Sequence, residues 1–325
     1  MGGNTVSSLP ERVNIFDDTM REGLQIESPD ISVDEKLRLL DAIGEMGART
    51  ISIGSFAHPK WTPAMACVDE IAERFEPKPG IRYTAAIFNQ KGFERADAYW
   101  PKLDVRTRRF TTGVEISDSF ARRNYNRTQA QQIASMEPTV ERAKAADAES
   151  GTVSLGSPFG CNFEGPFSLQ QRLDMIQLMV DKWHAGGIPV GRVSFSDAMG
   201  WNAPHTVRET IEAIREMWPE IETFHMHLHN SRGSTIASYY EALRLGVTDF
   251  DTSLGGMGGC PYCGNGRSAG HVPTEDFVDL CHEMGIETGV DLDACIEAAK
   301  VAERIVGTTL PGKVYRVAPL PKTPV

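Results

Sequence analysis

Long apolar runs are scarce in this chain of 325 residues, and so are the marks of export. No stretch is apolar for the length that a membrane helix requires, and residues 1–10 lack the hydrophobic run of a secretory signal. We therefore expect a cytoplasmic protein that does not enter a membrane.

Positive charge is the second shortage. The chain has 33 lysine and arginine residues against 44 aspartate and glutamate residues, and its formal net charge is −11. Nucleic acids and anionic membranes bind surfaces of the opposite sign. The charge balance thus argues against both as general partners.

Cysteine is also sparse, with six residues scattered along the chain rather than in a disulfide framework. Cys260 and Cys263 form a C-P-Y-C string like that of glutaredoxins. That motif belongs near the start of a small βαβ domain, whereas here it follows the last predicted strand. A redox enzyme is disfavoured, and a reversible Cys260–Cys263 disulfide stays open.

Short β-like runs alternate with longer amphipathic segments, which indicates an α/β protein. Eight strand–helix units is the count of a (β/α)₈ TIM barrel. An open doubly wound sheet is the alternative, weakened because no glycine-rich dinucleotide fingerprint follows the first strand. The predicted strands are residues 13–18, 50–56, 81–88, 109–114, 151–158, 192–197, 223–229 and 249–254.

The predicted barrel spans residues 13–310, and an additional C-terminal helix occupies residues 292–305. Residues 1–12 form an N-terminal extension and residues 311–325 a tail. Barrel enzymes place their chemistry at the C-terminal ends of the strands. Unusual polar and glycine-rich sequence collects at those ends.

His225, His227 and His229 alternate along the seventh predicted strand. Alternate strand residues share a face, so two of these imidazoles can bind one metal ion. The alternative interpretation is a polar strand whose histidines hydrogen-bond to neighbouring residues. Three histidines on one face favour metal binding over that alternative.

Two further segments carry candidate chemistry. Residues 17–25 lie at the end of the first predicted strand, where an acid could complete the metal site. The planar guanidinium of Arg21 could bind an oxyanion there. The alternative is a surface loop whose charges pair with one another. Residues 255–266 hold six glycines in twelve positions, which is typical of a mobile loop that closes over a barrel site. Cys260 in that loop could act as an acid or nucleophile.

Together these motifs resemble the metallolyase superfamily that joins 3-hydroxy-3-methylglutaryl-CoA lyase with isopropylmalate and homocitrate synthases. The similarity to the lyase branch covers nearly the whole chain. It rests on residues 21–27, 55–61, 89–93, 160–165, 196–200, 227–229, 258–262 and 274–276.

The resemblance implies roles for individual residues. Arg21 would stabilise an enolate, Asp197 would lie by the reacting carbons, and Cys260 would donate a proton. The implied metal ligands are Glu22, His227 and His229, with His271 as a fourth. His227 would also be a catalytic residue. Gln25 and Asn89 would bind the substrate. The implied cofactor is a divalent cation, Mg²⁺ or Mn²⁺ first and Zn²⁺ or Co²⁺ as alternatives.

Three positions depart from the lyase pattern. Glu22 stands where the lyases have Asp, Ser52 where they have a functional Glu, and His271 where they have an Asn ligand. These changes suggest a different substrate or reaction.

We therefore expect retro-aldol cleavage of 3-hydroxy-3-methylglutaryl-CoA, or of a related 3-hydroxyacyl-CoA or hydroxy acid, to an acyl-CoA such as acetyl-CoA and a keto acid such as acetoacetate. A Claisen-type synthase and a non-catalytic barrel are the alternatives. We further expect a homo-oligomer, a dimer or tetramer, and no nucleic-acid or membrane partner.

Overall fold

The computed structural model describes residues 9–107, 109–264 and 268–319, so parts of the predicted N-terminal extension and tail lie outside it. The described residues divide into two compact units. The first unit comprises residues 11–107, 251–260 and 269–319. The second comprises residues 9–10, 109–250, 261–264 and 268.

Within these residues, strands and helices alternate along the chain. The strands are β1 (Asn14–Asp17), β2 (Thr50–Ser55), β3 (Arg82–Ala86), β4 (Thr111–Glu115), β5 (Gly151–Gly156), β6 (Gly160–Cys161), β7 (Gly165–Pro166), β8 (Val190–Asp197), β9 (Thr223–Leu228) and β10 (Asp249–Thr252). The helices are α1 (Val33–Glu45), α2 (Val68–Arg74), α3 (Gln90–Asp97), α4 (Asp118–Tyr125), α5 (Gln129–Ala134), α6 (Glu137–Ala145), α7 (Leu169–Ala185), α8 (Pro204–Met217), α9 (Thr235–Arg244), α10 (Thr274–Glu283), α11 (Leu292–Val306) and α12 (Val314–Val317).

Local sequence explains where several helices begin. Ser32, Thr128 and Ser168 start α1, α5 and α7 with capping boxes, in which each hydroxyl accepts from a backbone N–H three residues on. Such caps satisfy N–H groups that the first turn leaves without a partner inside the helix.

Eight strands form one sheet in the order β3-β2-β1-β10-β9-β8-β5-β4. In the first unit β2 pairs with β1 and β3, and in the second β4, β5, β8 and β9 pair in turn; these pairings are parallel. Strand β10 belongs to both units, since Asp249 and Phe250 pair with β9 while Thr252 accepts from the Asp18 N–H. The eight predicted strands thus appear in the sheet.

The second unit's sheet has one apolar face and one polar face. Phe224, Met226 and Leu228 of β9 are buried, whereas His225 and His227 lie on the opposite face and are partly exposed. This alternation places the histidines where a ligand can reach them.

The additional C-terminal helix is confirmed as α11, although a short α12 follows it. The β6–β7 hairpin was not predicted, because two-residue strands show no periodicity. Among the described residues, the structure has no helix that is both long and apolar enough to cross a bilayer.

Candidate active site

The histidine pair of the second unit lies where β9 ends. The ring centroids of His227 and His229 are 5.6 Å apart, and His229 is buried. The Ser268 hydroxyl lies 3.5 Å from Nδ1 of His229 and donates to the Ala198 carbonyl at 2.6 Å. These contacts hold the His229 ring in one orientation.

His225 occupies a different level of the same face. Its Nδ1 lies 3.0 Å from the Ser194 hydroxyl on β8, two residues nearer the start of the strand than His227. The sequence prediction left His225 out of the metal shell, and this stays a prediction.

Asp197 ends β8 and is buried in the second unit. Its Oδ2 accepts from the Asn202 backbone N–H at 2.7 Å and from Asn202 Nδ2 at 3.0 Å. Burial raises the pKa of this carboxyl, and the Asn202 hydrogen bonds oppose that rise. The His229 N–H donates to the Asp197 carbonyl at 3.0 Å, which ties the acid to the histidine pair.

The Arg21–Glu22 pair of the first unit lies in a π-helical turn, Thr19–Gly23, directly after β1. Arg21 Nη1 forms an ion pair with the Glu22 carboxylate and lies 3.4 Å from Asp18 Oδ2. Glu22 is buried, whereas the Arg21 side chain is partly exposed. The turn therefore presents a fixed cation beside two acids.

His271 lies among acids of the first unit. His271, Asp18 and Asp251 offer ligand atoms that all lie within 4.8 Å of one another. His271 Nε2 is 3.9 Å from Asp18 Oδ2, and its ring is buried. Asp18 and Asp251 were missed from the sequence, although the doubled acid at residues 17–18 is a visible signal.

The N-terminal part of the glycine-rich loop, residues 255–260, packs on the Arg21–Glu22 turn. Gly258 has φ +111°, and a Cβ there would collide with the Glu22 carbonyl. Glycine at this position therefore allows the close approach. Cys260, two residues on, is buried, and neither Cys260 nor Cys263 forms a disulfide in the structure.

The C-terminal part of the loop, residues 261–264, is held by contacts within the second unit. Asn162 of the β6–β7 hairpin donates to the Cys263 carbonyl at 2.9 Å and accepts from the Trp201 indole at 2.9 Å. Cys263 Sγ lies 3.3 Å from the Ala198 carbonyl. Residues 265 and 266 of the predicted loop lie outside the described residues.

The two predicted substrate-binding residues have structural contacts of their own. Asn89 caps α3, its side chain accepting from the Gly92 N–H at 2.9 Å. The Gln25 N–H donates to the Glu22 carbonyl at 3.3 Å, which places Gln25 just after the arginine turn. Their contact with substrate stays a prediction.

Glu115 is a buried acid that the sequence prediction missed. It is the last residue of β4, and its Oε2 accepts from the Ser157 hydroxyl at 2.8 Å. Burial raises its pKa to about 8, with a further upward contribution from Asp197 and a downward one from Ser157. The acid could not be distinguished from a surface glutamate without knowing which residues cover it.

The donor types in each unit suit a divalent cation. Imidazole and carboxylate ligands together accommodate Mn²⁺, Zn²⁺ or Co²⁺, and carboxylates alone favour Mg²⁺. The first unit supplies carboxylates and one imidazole, and the second supplies two imidazoles.

Known proteins resemble this chain over most of its length. A family model described as HMGL-like matches residues 12–302. The (R)-citramalyl-CoA lyase of Chloroflexus aurantiacus is 30% identical, with 95% of this chain and 96% of that protein covered. The 3-hydroxy-3-isohexenylglutaryl-CoA/hydroxy-methylglutaryl-CoA lyase of Pseudomonas aeruginosa is also 30% identical, with 92% and 95% covered.

A solved structure gives the same result for the fold. The crystal structure of the HMG-CoA lyase of Bacillus subtilis matches with a TM-score of 0.80 and 30% identity, covering 95% of this chain and 98% of that one. The protein is therefore an enzyme of the lyase class with a (β/α)₈ TIM-barrel fold, as predicted. The chain belongs to the HMGL-like family, the HMG-CoA lyase family of the metallolyases.

Proposed function

We propose that this lyase is metal-dependent and cleaves a carbon–carbon bond of a tertiary 3-hydroxyacyl-CoA like 3-hydroxy-3-methylglutaryl-CoA, giving an acyl-CoA and a keto acid. The observation that carries the proposal is the Arg21 fork, fixed by two acids at the end of β1. The named substrates of both 30%-identical relatives are thioesters of this kind.

We assign the metal to Glu22, His227 and His229, with His271 as the fourth ligand. Asp18 joins this set as a further candidate, because its carboxylate is close to His271. A divalent ion bound there would lower the pKa of the substrate's tertiary hydroxyl. Carboxylate and imidazole donors fit this role.

The protein's own side chains supply the rest of the chemistry. Arg21 places fixed positive charge where the enolate oxygen of the leaving acyl-CoA develops. Asp197, held by Asn202 through two hydrogen bonds, lies by the reacting carbons. Cys260 donates the proton that converts the enolate to the acyl-CoA product, and Gln25 and Asn89 contact the substrate.

A second candidate substrate class is a 3-hydroxyacyl-CoA or hydroxy acid with a different substituent. Ser52 favours it, since a small hydroxyl on β2 replaces the glutamate of the resembling lyases. The (R)-citramalyl-CoA lyase shows that a related chain of similar length acts on another thioester.

The deciding experiment is a substrate panel. Metal-loaded protein is incubated with several 3-hydroxyacyl-CoA thioesters, and the products are identified by mass spectrometry. Cleavage of one thioester to an acyl-CoA and a keto acid supports the proposal and names the substrate. Cleavage of none, together with condensation of an acyl-CoA with a keto acid, would replace it by the synthase alternative.

The metal assignment has its own test. We expect His227→Ala to lose most of the bound divalent ion in elemental analysis, because one of few ligands is removed. His225→Ala is the matched control, since that ring bonds Ser194 and should leave the metal content unchanged. Undiminished metal in His227→Ala would contradict the assignment.

The predicted homo-oligomer and the cytoplasmic location remain proposals. Light scattering on the purified protein would measure the first.

A further inference from the structure

Glu115 shares one level of the second unit's sheet with His227. The parallel register pairs Glu115 with Gly156, Gly156 with Ser196, and Ser196 with His227. These four positions therefore form one row across β4, β5, β8 and β9. A proposed metal ligand stands at one end of the row and a buried carboxyl at the other.

The row lies on the polar face of the sheet. Thr112 of β4 accepts a hydrogen bond from the Trp183 indole of α7, so Thr112 points to the helix side. Strand alternation turns Glu115, three residues on, to the opposite face. His227 lies on that face as well, because its neighbours Met226 and Leu228 are fully buried on the helix side.

The carboxyl of Glu115 leans toward the histidine end of the row. A Cβ at Gly156 would overlap the Glu115 carboxyl, so this carboxyl lies directly over the β5 backbone. Ser157 fixes it there through the 2.8 Å hydrogen bond. Ser196, the remaining residue before His227, has a small and partly exposed side chain. Ser196 is thus the one side chain of the row between the acid and the imidazole, because Gly156 has none.

We propose that Glu115 is a further catalytic residue, which takes the proton from the substrate's tertiary hydroxyl. The inference rests on the proposed function. As the O–H bond breaks, its electron pair forms the ketone, the carbon–carbon bond breaks, and its pair becomes the enolate of the acyl-CoA. The enolate carbon receives its proton from Cys260. The proton on the Glu115 carboxyl then passes to solvent, and the Cys260 thiolate takes one back from solvent, which returns both groups to their starting states.

The electrostatics of Glu115 suit this role. A general base works best when its pKa is near the working pH. Burial and the facing Asp197 raise the pKa of Glu115 to about 8, and Ser157 draws it down.

The test compares Glu115→Gln, Ser157→Ala and the wild type on the thioester that the panel identifies. We expect Glu115→Gln to lose about 100- to 10,000-fold in kcat, which is the usual contribution of a general base. Its metal content and KM should stay near the wild-type values. The rise of kcat/KM with pH, centred near pH 8 in the wild type, should be absent.

Ser157→Ala separates catalysis from folding. This variant keeps the carboxyl but removes the hydrogen bond that lowers its pKa, so the rise in kcat/KM should move to higher pH. Exposed Glu149→Gln makes the same charge change and should leave rate and pH profile unchanged.

The outcomes separate the two proposals. If the wild type cleaves no thioester in the panel, the proposed function fails. If the wild type cleaves one, and Glu115→Gln keeps the rate and pH profile while Ser157→Ala leaves the profile in place, the function stands and the assignment of Glu115 is overturned.

Discussion

Arg21 carries a positive charge that neighbouring acids hold in one position. Its guanidinium contacts the Glu22 carboxylate and lies 3.4 Å from Asp18, so its fork is oriented before any substrate arrives. An oriented donor loses little side-chain freedom when it binds an oxyanion. The arginine can therefore stabilise an enolate at small reorganisation cost.

We expect Arg21→Lys to bind metal normally and to lose about 100- to 1,000-fold in kcat, the typical effect of removing one oxyanion donor. Lysine keeps the charge but cannot reproduce the planar fork. Elemental analysis and steady-state kinetics measure the two quantities. Arg74→Lys, at an exposed pair with Glu70, is the control and should match the wild type. A wild-type rate for Arg21→Lys would make Arg21 structural.

Some candidate site residues could be predicted from the sequence, and others could not because their environment depends on tertiary packing. His227 and His229 were visible because strand alternation can be read from a single chain. Glu115 and Asp251 look like ordinary acids in the sequence, since their burial depends on distant residues. The pKa of Glu115 is a property of that burial. Tertiary packing, rather than local pattern, defines these two.

The β6–β7 hairpin shows how a short element can position a loop. Asn162 uses both ends of its amide, donating to the Cys263 carbonyl and accepting from the Trp201 indole. A half-buried amide paired on both sides holds its neighbours in one arrangement. The hairpin therefore restrains the C-terminal part of the glycine-rich loop, residues 261–264.

We expect Asn162→Ala to raise the amide hydrogen-exchange rate of residues 262–264, because the Cys263 carbonyl and the Trp201 N–H both lose their partner. kcat should fall several-fold as the loop becomes less ordered, while the metal content stays unchanged. Gln177→Ala on α7, whose amide donates to Asp181 at the surface, is the control. Equal exchange in Asn162→Ala and the wild type would show that the hairpin does not restrain the loop.

The long elements were predictable from the sequence and the hairpin was not. α8, Pro204–Met217, can be read from the sequence because proline marks its start and apolar residues recur at helical spacing. The β6–β7 hairpin depends on a side-chain amide that bonds residues 101 positions away. Contacts of that kind leave no local pattern.

Among the described residues, three buried carboxyls besides Asp197 have raised pKa values: Asp17 about 7, Glu115 about 8 and Glu275 about 8. Burial is the largest cause for each. All three titrate at much lower pH when the chain unfolds, because water then solvates the charged form. Folding therefore holds protons that the unfolded chain releases, and stability must fall as pH rises.

Glu275 offers the cleanest test of this linkage. Its Oε2 accepts from the Gly255 N–H at 3.0 Å, and its pKa rises from 4.5 to about 8. The stability linked to its proton is fully present below pH 4.5 and is lost as pH rises toward 8, at up to about 1.4 kcal/mol per pH unit. Glu275→Gln cannot titrate, so its unfolding free energy should fall less steeply between pH 5 and 7.5. Urea unfolding at several pH values measures the slopes, with exposed Glu149→Gln as the control. Equal slopes for Glu275→Gln and the wild type would show that Glu275 is ionised in the folded protein.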